Sequence, residues 1–208
     1  MFGILTHMSK YEFTNTWFDN SARSNWEHII PQLKPTRVLE IGSYEGASTC
    51  WLIDRLGKSD LDIICIDTWA GGVEHGSIDM SSVEGRFIAN VKTAMTGLDG
   101  VKLRRIKERS DLALAKLISE EPESLFDFVY VDGSHQAPDV LSDTVMAFKL
   151  LRPGGVMAFD DYLWHEGSPH EKDPIRSPKM AIDAFTNIYS RQLRFISMPL
   201  YQVYIQKL

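Results

Sequence analysis

Along this chain, short apolar runs alternate with longer stretches in which apolar residues recur every three or four positions. Residues 37–41 (RVLEI), just after the breaker Pro35, read as a buried strand. So do 61–67 (LDIICID), 101–107 (VKLRRIK), 126–132 (FDFVYVD) and 155–160 (GVMAFD). Helical periodicity fills the gaps. In 45–56, Ala47, Cys50, Trp51, Ile53 and Leu56 trace turns, and in 83–95 Phe87, Val91 and Met95 share a face. Further helices are expected over 110–118 and 138–151, the latter with Pro138 in its first turn, where a missing N–H costs nothing. A polar segment to about residue 178 precedes a helix over 179–189 and two last strands, 193–198 and 201–206. Repeated strand–helix–strand units predict an α/β fold: a doubly wound, mostly parallel seven-stranded sheet, closed by a hairpin that supplies an antiparallel edge strand. Residues 14–30 read as one or two helices beside the core, within a helical N-terminal extension over 1–34.

Composition adds bounds. The 208 residues fit one domain over 1–208, and 44% hydrophobic with 24% charged residues is an ordinary globular balance. No window has the apolar length of a membrane span, and the N-terminus lacks the run and cleavage site of a signal peptide, so a soluble cytoplasmic protein without membrane partners is expected. A net charge of −6 argues against nucleic acid as partner. The one basic cluster, 102–107, reads as a solvated strand face. Cys50 and Cys65 sit in apolar segments and are expected as buried, reduced thiols. The aromatic residues Trp17, Phe18 and Trp26 suit either a homo-oligomer interface or packing on the core.

In open sheets of this kind, ligands bind beyond the carboxyl ends of the strands, so the residues there carry the chemistry. The first strand ends in LEIGSYEGAST, where Gly42 and Gly46 permit a tight turn into a helix. The spacing is G-x-x-x-G with no lysine, which disfavours both the dinucleotide fingerprint and the phosphate loop. Glu40 suits an amino group. The same stretch also reads as a plain strand–turn–helix junction. Asp67, about 20 residues beyond the glycines, suits ribose hydroxyls, or caps its loop. Asp132 ends the fourth strand, and Asp160 with Asp161 ends the fifth. Neighbouring strands lie roughly 4.8 Å apart, so three carboxylates would converge. A hard divalent cation, magnesium, would resolve their repulsion. Without a metal, Asp132 would contact a ligand and Asp161 would cap the following loop.

LEIGSYEGASTCWL followed by CIDTW resembles the S-adenosylmethionine (SAM) site of class I methyltransferases. The likeness is closest to the small-molecule O-methyltransferases, among them the catechol and macrolide-sugar enzymes. DTW followed by AGGVEHG is similar to the cephalosporin hydroxylase-like group. The resemblance runs over roughly residues 15–207 and implies a Rossmann-like sheet, SAM as cofactor, and a small-molecule hydroxyl acceptor (sugar, polyketide or phenol). It implies that Glu40 fixes the SAM amino group. Gly42, Ser43 and Tyr44, in the turn closed by Gly46, would line the methionine part, and Ser48 would bind its carboxylate. Asp67 would hold the ribose, with Thr68 and Trp69 near the adenosine. Ser110 and Asp111 would meet the adenine edge, or simply cap their helix. Asp132, Asp160 and Asp161 match the acids that bind Mg2+ in the metal-dependent members. His135 stands near the place where the catechol enzymes carry a lysine base. With Asp132 it forms the implied catalytic pair, an imidazole being able to act as base; it also suits a cofactor contact or a turn cap. Two loops are expected to shape the acceptor pocket: 69–82 with His75, and 162–178 with Trp164, His165 and His170, the second as a lid. A same-fold enzyme with another, hydroxylase-like reaction and a SAM-binding protein without turnover are the alternatives.

Overall fold

The apolar runs do become strands. The computed structural model describes residues 10–208 apart from 77, 121–124, 168–169 and 171. Its strands are β1 (Arg37–Ile41), β2 (Leu61–Asp67), β3 (Val101–Lys107), β4 (Phe126–Val131), β5 (Leu151–Phe159), β6 (Leu193–Ile196) and β7 (Val203–Lys207). They form one sheet in the order β3-β2-β1-β4-β5-β7-β6. The first five strands pair in parallel. The closing hairpin makes the antiparallel edge, and β7 enters between β5 and β6, antiparallel to both.

The helices are α1 (Trp17–Asn20), α2 (Arg23–Leu33), α3 (Ala47–Leu56), α4 (Val83–Ala94), α5 (Ser110–Glu120), α6 (Ala137–Leu150) and α7 (Lys179–Ile188). Strand residues alternate between two cores. Val38, Ile63 and Phe128 pack with α2, α3 and α4, while Leu39, Ile64 and Val129 pack with α5, α6 and α7. This two-sided burial is why the central strands read as unbroken apolar runs. On the edge strand β3, Arg105 and Lys107 pair with Glu84 of α4. Charge on an open edge discourages pairing with another chain.

The N-terminal aromatics divide. Trp26 is fully buried, edge-on to Phe128 and Tyr130, and Phe18 packs against it. Truncating a side chain so placed costs about 3–5 kcal/mol. Trp17 is half-exposed. Residues 1–9 of the expected extension lie outside the described residues.

Several boundaries differ from expectation. Helix α3 starts at Ala47 because Tyr44 and Gly46 hold left-handed backbone, at φ +46° and +82°. Strand β5 starts at Leu151, directly after α6, and its Pro153–Gly154–Gly155 stretch is absorbed by a register shift opposite Phe126–Phe128. A bulge of this kind lets a strand carry residues that would otherwise end it. The last two strands are shorter than their apolar runs. Among the described residues, no helix is long and apolar enough to cross a membrane.

Candidate active site

A cavity of about 920 Å³ opens at the carboxyl ends of the parallel strands. Its wall starts at the turn after β1. Gly42 has φ +85°, and a Cβ there would lie 1.9 Å from the Asp132 carbonyl oxygen. The glycine is therefore required by the close approach of the loop after β4. Hydrogen bonds hold the turn from both sides. The Gly42 N–H donates to the Ile66 carbonyl at 2.9 Å, and the Asp132 N–H donates to the Ile41 carbonyl at 2.8 Å. Asp67, at the end of β2, organises the rest. Its Oδ2 accepts from the Ser43 and Tyr44 amides at 2.8 Å each, and its Oδ1 accepts from the Trp69 amide at 2.7 Å. That anchoring holds Tyr44 in a conformation that non-glycine residues rarely adopt.

The residues expected to meet a cofactor fall into two groups. Gly42, Ser43, Tyr44 and Ser48 line the cavity at β1, Asp67 and Thr68 at β2, and Ser110 and Asp111 at β3. Glu40, Gly46 and Trp69 stand behind the wall. Glu40 is fully buried and accepts from the hydroxyls of Ser43 at 2.6 Å, Ser48 at 2.5 Å and Thr49 at 2.5 Å, and from the Cys65 thiol at 3.4 Å. Burial pushes its pKa up, against the pull of those bonds. It thus fixes Ser43 and Ser48 from behind the wall. A Cβ on Gly46 would meet the Phe87 ring at 3.0 Å, so this glycine serves the packing of α3 on α4. Trp69 packs on Phe87 and donates its indole N–H to the Tyr44 carbonyl at 2.8 Å.

The acids gather at the next two strands. Val131 and Phe159 are in register, and the Asp160 N–H donates to the Val131 carbonyl at 3.0 Å, so Asp132 and Asp160 leave their strands at one level. Asp160 accepts from the Tyr130 hydroxyl and, at 2.9 Å, from the Asp161 amide. Asp161 has φ +57°, which turns the chain between the paired acids. Its Oδ2 lies 2.9 Å from His135 Nε2, and its Oδ1 accepts from the Tyr201 hydroxyl at 3.0 Å. Asp132, His135 and Asp161 each offer a ligand atom within 4.8 Å of the others. Asp160 lines the same cavity beside Asp132 and Asp161, with its Oδ2 held by the Tyr130 hydroxyl. Desolvation, then the charges of Asp160 and Asp161, hold the Asp132 carboxyl well above the usual range. Desolvation and Asp161 push Asp160 up to about 6. Crowded carboxylates that resist ionising are what a divalent cation would relieve, and two carboxylates with an imidazole are an accepted donor set for one.

The flanking loops also face the cavity. The Trp164 ring packs on His135 at 4.2 Å between centroids. His75 stacks on Tyr44 at 5.5 Å, and Trp17 tilts against Tyr44 at 5.1 Å. His170 is exposed, and residues 77, 168, 169 and 171 of these loops lie outside the described residues. Two buried acids escape the sequence reading. Glu45 accepts from the Thr14 amide at 2.7 Å and hydroxyl at 2.8 Å, and from Arg86 at 2.5 Å. It so fastens the segment that carries Trp17. Asp143, on α6, lines the cavity near Ser110 and Gly133. Its signal was an acid on an otherwise apolar helical stripe.

Residues 39–162 match the family model described as a methyltransferase domain. Protein R132 of Acanthamoeba polyphaga mimivirus is 26% identical over 149 residues, which cover 68% of this chain and 61% of that protein. Caffeoyl-CoA O-methyltransferase of Populus kitakamiensis is 23% identical over 173 residues, covering 80% of this chain and 66% of that one. The chain thus spans just under two thirds of either relative. Among solved structures, the O-methyltransferase from Bacillus cereus in complex with SAH shares the fold, with a TM-score of 0.62 at 18% identity over 95% of this chain and 83% of that one.

Proposed function

The chain belongs to the methyltransferase-domain family, and from that premise we propose that it transfers a methyl group from SAM to a hydroxyl of a small molecule, a sugar, polyketide or phenol, with help from a divalent cation such as Mg2+. The observation that carries this reading is one continuous cavity joining the glycine turn and Asp67 to the Asp132–His135–Asp161 group.

Ser43, Tyr44 and Ser48 would hold the methionine end, and the acceptor site left on Asp67 Oδ1 would take a ribose hydroxyl. Bound SAM supplies a methyl group on a sulfonium, already a good leaving group, so the protein's task is alignment and proton removal. Asp132 and Asp161 would hold a divalent cation, whose contribution there would be to make a nearby hydroxyl more acidic. The His135 ring would take the hydroxyl proton, and Asp161, 2.9 Å from its Nε2, would accept from that nitrogen and favour the resulting imidazolium. Trp164 against the ring limits its rotation. The same geometry supports a second reading of one residue: His135 is itself a ligand, since its nitrogen lies within the 4.8 Å group.

Calorimetric titration with SAM, with and without Mg2+ or Mn2+, followed by transfer assays on a panel of hydroxyl acceptors, tests the proposal. Absence of SAM binding would sink it. Transfer that proceeds unchanged after chelation would remove the cation, and SAM binding with no transfer would favour a binding role. Replacement of His135 by Gln separates its two roles. As a base, its loss lowers turnover by about 10²–10⁴-fold at unchanged metal affinity. As a ligand, its loss weakens metal binding as well.

A further inference from the structure

Helix α6 buries Val140, Asp143, Thr144, Ala147 and Phe148 along one side. Asp143 is the anomaly in that stripe. It is 2% exposed, and its Oδ1 is buried with no hydrogen-bond partner among the described residues. Thr144 beside it is satisfied by the Val140 carbonyl at 2.6 Å. A buried polar atom left unpaired costs free energy, which a structural role alone does not recover.

Its position is informative. Asp143 lines the cavity with Ser110, and a Cβ on Gly133, just past β4, would come within 3.8 Å of its Oδ2. This is the end of the cavity at β3 and β4, where the SAM reading puts the base. The charged groups that act on it are Asp111 of α5 and Asp139 of α6, both negative. The nearby guanidinium of Arg109 is spent on Asp111, at 3.1 and 2.9 Å. Desolvation, with those two acids and against the pull of the Ser110 hydroxyl, raises Asp143 to about 7. Below about pH 7, Asp143 is thus mainly a carboxylic acid rather than a carboxylate. Such a group offers one donor and one acceptor side by side. Adenine presents the complement: a ring nitrogen that accepts, next to an exocyclic amine that donates.

We propose that Asp143 reads the adenine of the bound cofactor, its O–H donating to a ring nitrogen and its carbonyl oxygen accepting from the 6-amino group. The inference rests on the reading that this cavity binds SAM. It makes Asp143 a specificity residue of the cofactor site and explains why an acid occupies a core position of α6.

The test is calorimetry on the full chain with S-adenosylhomocysteine and with an analogue lacking the 6-amino group, between pH 6 and 8.5. Wild type should bind S-adenosylhomocysteine about tenfold or more weakly at pH 8.5 than at pH 6, because binding selects the protonated acid. D143N, which keeps a donor and an acceptor, should be flat across that range to within about threefold. At pH 6, removal of the 6-amino group should weaken wild type about tenfold and D143A scarcely at all, the mark of a direct coupling. Should D143A fail to fold, the pH profiles of wild type and D143N decide. A flat wild-type profile, or equal losses with the analogue in wild type and D143A, overturns the proposal and leaves SAM binding intact. No binding of S-adenosylhomocysteine by wild type overturns the proposal together with the reading beneath it.

Discussion

The acids in and behind this site meet different kinds of partner, and the partner decides what each acid can do. Hydroxyls and a thiol surround Glu40, backbone amides hold Asp67, a guanidinium meets Glu45, and a phenol meets Asp160. Asp143 has no such partner at Oδ1. The consequence reaches stability. Asp143 keeps its proton to about pH 7 in the fold, whereas an unfolded aspartate releases it near pH ~3.9. Between those values the folded chain binds more protons than the unfolded one, so the contribution is fully present below about pH 4 and is lost as pH rises to 7. Asp143→Asn should shrink that loss: by scanning fluorimetry, its melting temperature should fall less than wild type's from pH 4 to pH 7. Parallel curves would count against the raised pKa. Asp132, Asp160, Asp161 and His135 were legible as a group because strand ends in an open sheet share one edge. The direction of Glu40 was not. Alternation assigns a face to a strand residue only once the neighbouring strands are known, and its partners Ser43, Ser48, Thr49 and Cys65 come from three separate elements.

At the level of elements, the turns proved harder to read than the strands they join. Gly42 was expected to line the methionine part of a cofactor, and it does line the cavity, yet its missing Cβ makes room for the Asp132 carbonyl, ninety residues on in the chain. No local pattern announces a contact of that kind. Gly42→Ala should therefore destabilise the fold by about 3 kcal/mol or more, through both the clash and the positive φ. Urea unfolding measures it, and a midpoint unchanged from wild type would contradict the geometry. The N-terminal segment gives a second case. Glu45 holds Thr14 through two hydrogen bonds, and Asn90 holds Glu12 through two more, at 2.9 Å each. Neither bond set follows from periodicity. With Glu45→Ala, limited proteolysis should cut the segment around residues 10–21 several-fold faster while the sheet survives. The start of β5 was missed for a related reason: Pro153, Gly154 and Gly155 signal a break, but a register shift carries the strand through them.

Over the whole molecule, the alternation of runs was enough to name the architecture, since a parallel sheet covered on both faces leaves few ways to arrange five strands and their helices. The insertion of β7 between β5 and β6 was not legible, because a hairpin pattern fixes which strands pair with each other but not which of them also meets the sheet. The placement of the site then follows from topology. Turns after β1, β2 and β3 form one half of the cavity, and the ends of β4 and β5 form the other. The two halves meet where the Gly42 turn rests on the Asp132 backbone. A shift of either half is passed to the other at that contact, so two ligands bound on its opposite sides exert a mutual influence. Linkage makes such influence symmetric. Whatever factor a cation at Asp132 adds to the affinity for S-adenosylhomocysteine, the nucleoside must add to the affinity for the cation. Titrations run in both orders should return the same factor, and a factor of one in both would show the two halves to be energetically separate.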